Sequence, residues 1–306
     1  MVLFFGAVLP RYDVEVRKVV DLAVVFEGLG FSSLWVTDHL QPRRASTVLE
    51  SWTLLSALAP AIDVRLGTCV LCACYRHPAL LAKMAATLDV VSGGRLELGL
   101  GVGSEPQEEE LTALGMERWS GGERFERFRE YVEVVRLLLT GKEAVDFNGR
   151  FYKLSKAVCN TPSFQKPSPP IWVGGRKRRM AELAAELGDG WNFYGETLDE
   201  YEKVTRIYDE KCKQLGRKPV KSVFTNILVY TSESDRLERM RKLGSYSSAE
   251  EALRKTFTLL HGKPDEVIRQ VELLQSLGVS LVIVRDMDVE ASSINLFAKE
   301  VTPSFA

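Results

Sequence analysis

Long apolar runs are missing from this 306-residue chain. None approaches the ~20 residues that span a bilayer, so no membrane segment is expected. A surplus of either charge is missing too. Forty Lys and Arg face 41 Asp and Glu, a formal net charge of −1. That leaves no global basic field to attract nucleic acid or an anionic membrane. The opening residues, MVLFFGAVLPRY, hold no basic stretch ahead of an apolar one, so no signal peptide is expected and the cytoplasm is the expected compartment. Histidine is scarce: His39, His77 and His261 are all there is, with no H-x-H pair. A metal-dependent hydrolase needs a compact cluster of His and carboxylates, so this chain reads as having no metal site. The five cysteines are odd in number, which suggests reduced thiols. Cys69-x-x-Cys72-x-Cys74 lacks a second Cys/His pair with ligand spacing and reads as small core residues.

What is present is a rhythm. Strand-like apolar runs alternate with helix-period runs along the whole chain. The expected strands are 2–9, 34–36, 65–74, 95–100, 171–173, 191–194, 222–230 and 280–284. The expected helices are 14–28, 49–59, 78–90, 123–139, 177–187 and 199–215, then helices covering about 235–277, and a last one at 291–301. Regular βαβ alternation implies parallel pairing, and eight units imply a (β/α)8 TIM barrel, with a doubly wound open sheet as the other candidate. The segment 146–170 breaks the rhythm between strands 4 and 5. Its Phe147-Asn148-Gly149-Arg150-Phe151 looks like a hairpin, so it reads as an insertion into one domain spanning 1–306.

Residues 92–105, SGGRLELGLGVGSE, hold five glycines. A dinucleotide fingerprint would run G-x-G-x-x-G from a strand into a helix. Here Gly99, Gly101 and Gly103 bring the third glycine one position early. Four glutamates follow within seven residues, a poor neighbour for a pyrophosphate. The stretch reads instead as strand 4 opening into a loop at the barrel mouth, where barrel chemistry sits.

The polar residues gather at the same ends of the other strands. Asp38-His39 ends strand 2 and can hydrogen-bond a ligand or handle a proton, or else cap a helix. His77-Pro78 opens a helix. Gly174-Gly175-Arg176, with three more cations through Arg179, stands at a helix N-terminus. Free N–H groups and the helix dipole make an anion site there. Arg285-Asp286 ends strand 8.

Together, W-V-T-D-H (35–39), L-G-T-C-V-L (66–71), the run 76–103, P-P-I-W-V-G-G (169–175) and G-D-G-W (188–191) resemble the bacterial-luciferase-like flavin/deazaflavin oxidoreductases. The resemblance runs from strand 1 to about strand 6. It implies a (β/α)8 barrel, usually a homodimer, that holds coenzyme F420 or FMN at its mouth. It implies a non-proline cis peptide at Cys69-Val70 against the ring. It places Val102, Gly103 and Ser104 along the ring and ribityl chain. Val173, Gly174, Gly175 and Arg176 fall at the phosphate. Asp38 and His39 contact the ring, with His39 handling a proton. The D-H pair resembles the F420 branch. Relatives in that branch place a catalytic Glu where Ser104 stands here, which leaves neighbouring Glu105 as the candidate. The implied reaction is hydride transfer between F420 and a small organic molecule, with a methylenetetrahydromethanopterin-reductase-like activity as one form. The alternatives are an FMN-dependent monooxygenase served by a separate flavin reductase, and a non-catalytic cofactor-binding partner protein.

Overall fold

Eight parallel strands close on themselves. The computed structural model describes residues 2–42, 45–119, 121–243, 249–286 and 292–305. The barrel strands are β1 (Phe4–Val8), β2 (Ser33–Val36), β3 (Arg65–Thr68), β5 (Leu96–Gly101), β8 (Ile171–Gly174), β9 (Gly190–Phe193), β10 (Lys221–Val229) and β12 (Leu281–Asp286). Each pairs with the next, and β12 returns to β1 in register Gly6↔Ile283. The chain is a TIM barrel. A two-residue strand, β4 (Leu71–Cys72), extends the β3 side along β5. A further strand, β11 (Thr258–Gly262), takes up the mouth end of β10 that β9 leaves free.

Helices wrap the outside because each carries an apolar stripe. In α1 (Val16–Gly28), Val19, Ala23 and Phe26 recur at helical spacing and are buried against the strands. The helices α2 (Ser51–Leu58), α3 (Pro78–Val91), α4 (Glu105–Ala113), α5 (Arg124–Thr140), α6 (Arg178–Leu187) and α7 (Leu198–Gln214) continue the ring. It closes through α8 (Glu233–Leu243), α9 (Ala249–Lys255), α10 (Pro264–Ser276) and α11 (Ser292–Glu300). The expected insertion is an antiparallel hairpin, β6 (Val145–Asn148) and β7 (Lys153–Ala157). Glu130 of α5 holds its turn by accepting from the amides of Arg150, Phe151 and Tyr152. No helix among the described residues is long and apolar enough to cross a membrane.

The lumen is packed, and its filling follows the period of two along a strand. Val8, Trp35, Cys69, Trp172, Phe224, Leu281 and Ile283 form one inner cluster, while the alternate residues face the helices. Two indoles need room, and glycines on neighbouring strands supply it. A Cβ on Gly67 would fall 2.2 Å from the Trp35 ring, and one on Gly190 would fall 2.4 Å from Trp172. Each ring takes roughly 150–250 Å² out of water. Their N–H groups are satisfied: Trp35 donates to Ser33 Oγ at 2.8 Å and Trp172 to Glu97 Oε2 at 2.6 Å. Burial pushes the Glu97 carboxyl up, although Arg65 donates to it.

Three elements differ from the expectation. Strand 3 does not run unbroken to Cys74: it stops at Thr68, resumes as β4, and turns through a short 3-10 segment at Ala73–Tyr75. β11 lies inside the stretch read as helical, because Thr258-Leu259-Leu260-His261-Gly262 is too short and mixed to show a period of its own. The stretch after Ser104, read as loop, is α4. It has almost no apolar period, and its start is set by local chemistry. Gln107 Oε1 accepts from both the N–H and the hydroxyl of Ser104, Pro106 sits in the first turn, and Glu105 and Glu108 complement the dipole.

Gly67→Ala should overpack the lumen and destabilise by about 1–3 kcal/mol. Gly28→Ala, with no atom within 4 Å of the added methyl, should be neutral or stabilising by about 0.4–1 kcal/mol. Urea denaturation of both variants checks this. Equal midpoints would refute the packed-lumen account.

Candidate active site

The floor of the mouth is built around Val70. The Cys69–Val70 peptide is cis, at the position where the resemblance put it. The Val70 side chain lies against glycines on two other strands. A Cβ on Gly101 would stand 2.5 Å from its Cγ2, one on Gly174 2.8 Å from Cγ2, and one on Gly99 3.0 Å from Cγ1. Gly99 also leaves room for the Thr68 carbonyl, 1.9 Å from where its Cβ would be. The glycines of the 92–105 stretch therefore form half of a socket. Val70 fills it and remains half exposed.

At the end of β2 the backbone delivers Asp38 inward. Its carboxylate is fully buried and fully used. Arg76 donates to both oxygens at 2.8 and 3.2 Å, Ser51 Oγ to Oδ1 at 2.9 Å, and the Cys72 amide to Oδ2 at 2.9 Å. Arg76 also reaches Glu50, whose carboxylate caps α2 through the amides of Trp52 and Thr53. Burial opposes the Arg76 charge, yet Asp38 and Glu50 together raise its pKa. Asp38 thus braces the site, with no oxygen left over to reach a ligand.

His39, one residue on, is the exposed partner of this pair, its side chain 28% accessible. Its Nδ1 lies 2.7 Å from Glu110 Oε1. The other Glu110 oxygen accepts from the amides of Leu40 (2.6 Å) and Gln41 (3.1 Å) and from the Tyr75 hydroxyl (2.9 Å). Burial raises the Glu110 carboxyl, but the Gln41 amide, His39 and the Leu40 amide outweigh it and hold the carboxyl below 4.5. A carboxylate only accepts, so the proton of the neutral imidazole sits on Nδ1 and Nε2 presents a lone pair. Among the described residues Nε2 has no protein hydrogen bond. The backbone is fixed as well: Arg11, 1% exposed, donates to the His39 carbonyl at 2.8 Å and to the Leu49 carbonyl at 2.6 Å.

Other residues singled out by sequence fall as follows. Val102 and Gly103 border the mouth, half buried; Gly103 has φ +86, and an added Cβ would meet Cys72 Sγ at 3.0 Å. Ser104 is exposed at the start of α4, where its hydroxyl is held by Gln107. Gln107 in turn donates to the Asp38 carbonyl at 2.6 Å. Glu105 lies on the exposed first turn of α4, beside Glu108, Glu109 and Arg118 on the surface. The carboxylate against His39 is Glu110, five residues further along. Val173 packs outward among the helices and offers the mouth only its backbone. Gly174 belongs to the Val70 socket. Gly175 donates its N–H to the Asn192 carbonyl. Arg176 stacks over Phe257 and pairs with Glu196 at 2.9 Å. The first turn of α6 has no side-chain cap, and while the Met180 amide donates to the Lys177 carbonyl, the Arg178 and Arg179 amides remain available to an anion.

Sequence reading brought Asp38, His39, Val70, Gly103 and Gly174 to the same mouth. It put Arg11 and Arg76 at strand ends of that mouth without giving them a role, and it missed Glu110. Spacing gave no signal for Glu110, which lies 71 positions from His39 on a helix without an apolar stripe.

Comparison with known proteins agrees with this geometry. A family model described as luciferase-like monooxygenase matches residues 1–244. An F420-dependent glucose-6-phosphate dehydrogenase of Segniliparus rotundus is 36% identical over 182 residues, 57% of this chain and 52% of that protein. The chain thus spans about half the length of that relative. A 5,10-methylenetetrahydromethanopterin reductase of Archaeoglobus fulgidus is 27% identical across 94% of this chain and 95% of its own. The solved structure of an F420-dependent secondary alcohol dehydrogenase in complex with an F420-acetone adduct superposes over the full length of both chains, with TM-score 0.85 at 21% identity. The barrel, the cis peptide at its floor and the family model together place this chain in the luciferase-like monooxygenase family.

Proposed function

We propose that this chain is an oxidoreductase that moves a hydride between coenzyme F420 and a small organic substrate. The observation that carries the reading is the His39–Glu110 pair standing at the same mouth as the Cys69–Val70 floor. The residues fit such a cofactor. The exposed half of Val70 offers a flat apolar backing for a ring. Gly103 keeps the wall beside it low. The uncapped first turn of α6, with Gly175 and Arg176 before it, suits a phosphate. When bound, F420 supplies a ring carbon that accepts or gives a hydride and reacts poorly with oxygen.

The protein's own part is positioning and proton control. His39 Nε2 takes a proton from a substrate hydroxyl, or returns one to a carbonyl, as the hydride moves. Glu110 fixes the tautomer and stabilises the imidazolium. Arg11 and the Asp38–Arg76 bridge hold the His39 backbone, so the ring is positioned before substrate arrives. Ser104 cannot act as an acid, and Glu105 is turned to solvent, so the proton role rests on His39. One barrel domain over residues 1–306, a homodimer and a cytoplasmic location belong to the same reading. Exposed Leu80, Val90 and Val91 on α3 support a self-association face, and five unpaired cysteines support a reducing compartment.

Fluorescence titration of the purified protein with F420 and with FMN tests the cofactor. F420 should bind at micromolar concentration or tighter and FMN more weakly. Tight FMN binding without F420 binding would make the chain a monooxygenase that needs a separate reductase. Binding of neither would make it a non-catalytic partner.

Glu110→Gln tests the proton role. The amide nitrogen would force His39 Nδ1 to accept, which moves the ring proton to Nε2. Turnover on a panel of alcohols and sugar phosphates should drop about tenfold to a hundredfold, with F420 affinity held and partial recovery in Glu110→Asp. Unchanged turnover would remove His39 from the chemistry. The pair also predicts a stability profile. A carboxyl whose pKa is lowered by folding adds stability above its unfolded value of about 4.5 and loses it as pH falls through the lowered folded value. The wild-type advantage in Tm over Glu110→Gln should shrink as pH falls below about 4.5.

A further inference from the structure

Several half-buried arginines in this fold have donors engaged by carboxylates or carbonyls. Arg65, Arg76 and Arg124 meet Glu97, Asp38 and Glu108. Arg95 and Arg217 direct theirs at backbone carbonyls. Arg285 does neither. It stands on the inner face of β12, two residues beyond Ile283 of the lumen cluster and hence at the mouth. Its Nε donates to Asn226 Oδ1 at 2.6 Å, and its guanidinium lies 5.2 Å from the centre of the Phe224 ring. Asn226 is anchored in turn, its Nδ2 donating to the Thr256 carbonyl. The terminal nitrogens are left with one long contact, 3.5 Å from Nη2 to the Tyr194 hydroxyl. Among the described residues no carboxylate pairs with it.

The charge also faces the floor. Burial pushes the Cys69 thiol up to about 12, and the two cations that pull against this are Arg285 and Arg11. Arg11 has its nitrogens occupied by Thr37, Leu49, Tyr12 and His39. Arg285 is therefore the cation with open donors next to the Cys69–Val70 floor. A guanidinium held at its Nε and by ring stacking, with the Nη1–Nη2 edge free, has the geometry of a carboxylate receptor. Packing alone gives no reason for a charge at this half-buried position, where no carboxylate among the described residues offsets it. The side chains packed beneath it are apolar and buried: Val8, Ile283 and Phe224.

We propose that Arg285 determines specificity at this mouth, and that the substrate is an organic acid whose carboxylate is taken in a forked hydrogen bond by the Nη1–Nη2 edge while its apolar body lies over the lumen cluster. This rests on the reading of the mouth as the F420 and substrate site.

Wild type, Arg285→Gln and Arg285→Lys are each titrated with F420. The F420-loaded proteins are then titrated with benzoate, with neutral benzamide and with inorganic phosphate, following cofactor fluorescence. Benzoate should bind wild type at least about tenfold more tightly than benzamide, the size of a charge-assisted hydrogen bond. Arg285→Gln should abolish that preference and Arg285→Lys should keep part of it. Phosphate, with no apolar body, should bind more weakly than benzoate. Equal binding of benzoate and benzamide, or a preference that survives Arg285→Gln, would overturn the proposal. A fall in F420 affinity in step with the lost benzoate preference would assign the guanidinium to the cofactor and overturn it equally. If wild type takes up no F420, the functional reading fails on its own. Calorimetry of benzoate against benzamide on the cofactor-free protein then decides the Arg285 proposal separately, by the same criterion.

Discussion

Asp38 carries a charge in a place without water, and the mouth of the barrel is arranged to answer it. A buried carboxylate missing one partner would cost several kcal/mol, about 3–5 when such a pair is broken. Its partners come from separate parts of the chain: Arg76 ahead of α3, Ser51 at the start of α2 and the Cys72 amide in β4. Satisfying one carboxylate thereby fixes the start of α2, the path of the chain after the cis peptide and the approach to α3. The neighbouring Asp38 carbonyl receives Gln107, which docks the start of α4. α4 then presents Glu110 to His39. The bridge thus fixes the His39–Glu110 pair from behind.

A second constraint runs through the lumen. Trp35 and Trp172 are too large for a barrel interior of eight strands unless neighbours give up their side chains. Gly6, Gly67 and Gly190 do so. The lower barrel is solid as a result, and a ligand can only enter from the end where Val70, His39 and Arg285 stand.

Eight strands and their outer helices were readable because strands buried on both faces and helices with a buried stripe each impose a period on the sequence. The glycine- and cation-rich start of α6 was readable for a related reason, since two glycines and a run of cations interrupt that period. α4 and β11 were not readable. α4 is held by Ser104–Gln107 chemistry and its contacts to Asp38 and His39, none of which leaves a periodic mark. β11 is five residues long and joins the barrel only at the mouth end of β10. The role of Glu110 was hidden by sequence distance: four glutamates lie within six residues there, and only the turn of the helix chooses which one meets an imidazole. Asp38 and His39 were found as a pair but could not be told apart, because burial separates their roles and sequence does not report it.

The socket around Val70 has a consequence for how this protein can change. Gly99, Gly101 and Gly174 sit on two strands, and the side chain they accommodate sits in the break between β3 and β4. None of the three glycines can gain a methyl while Val70 keeps both of its own. A larger residue at 70 finds no space to enter. Positions 70, 101 and 174 are therefore coupled, and a mutational walk through them has to move by compensated pairs, the valine trimmed before Gly101 or Gly174 can grow, while the Thr68 carbonyl holds Gly99 whatever stands at 70. Libraries that vary one position at a time would record this floor as immutable. Libraries that vary 70 together with 101 or 174 would show whether its shape can be retuned.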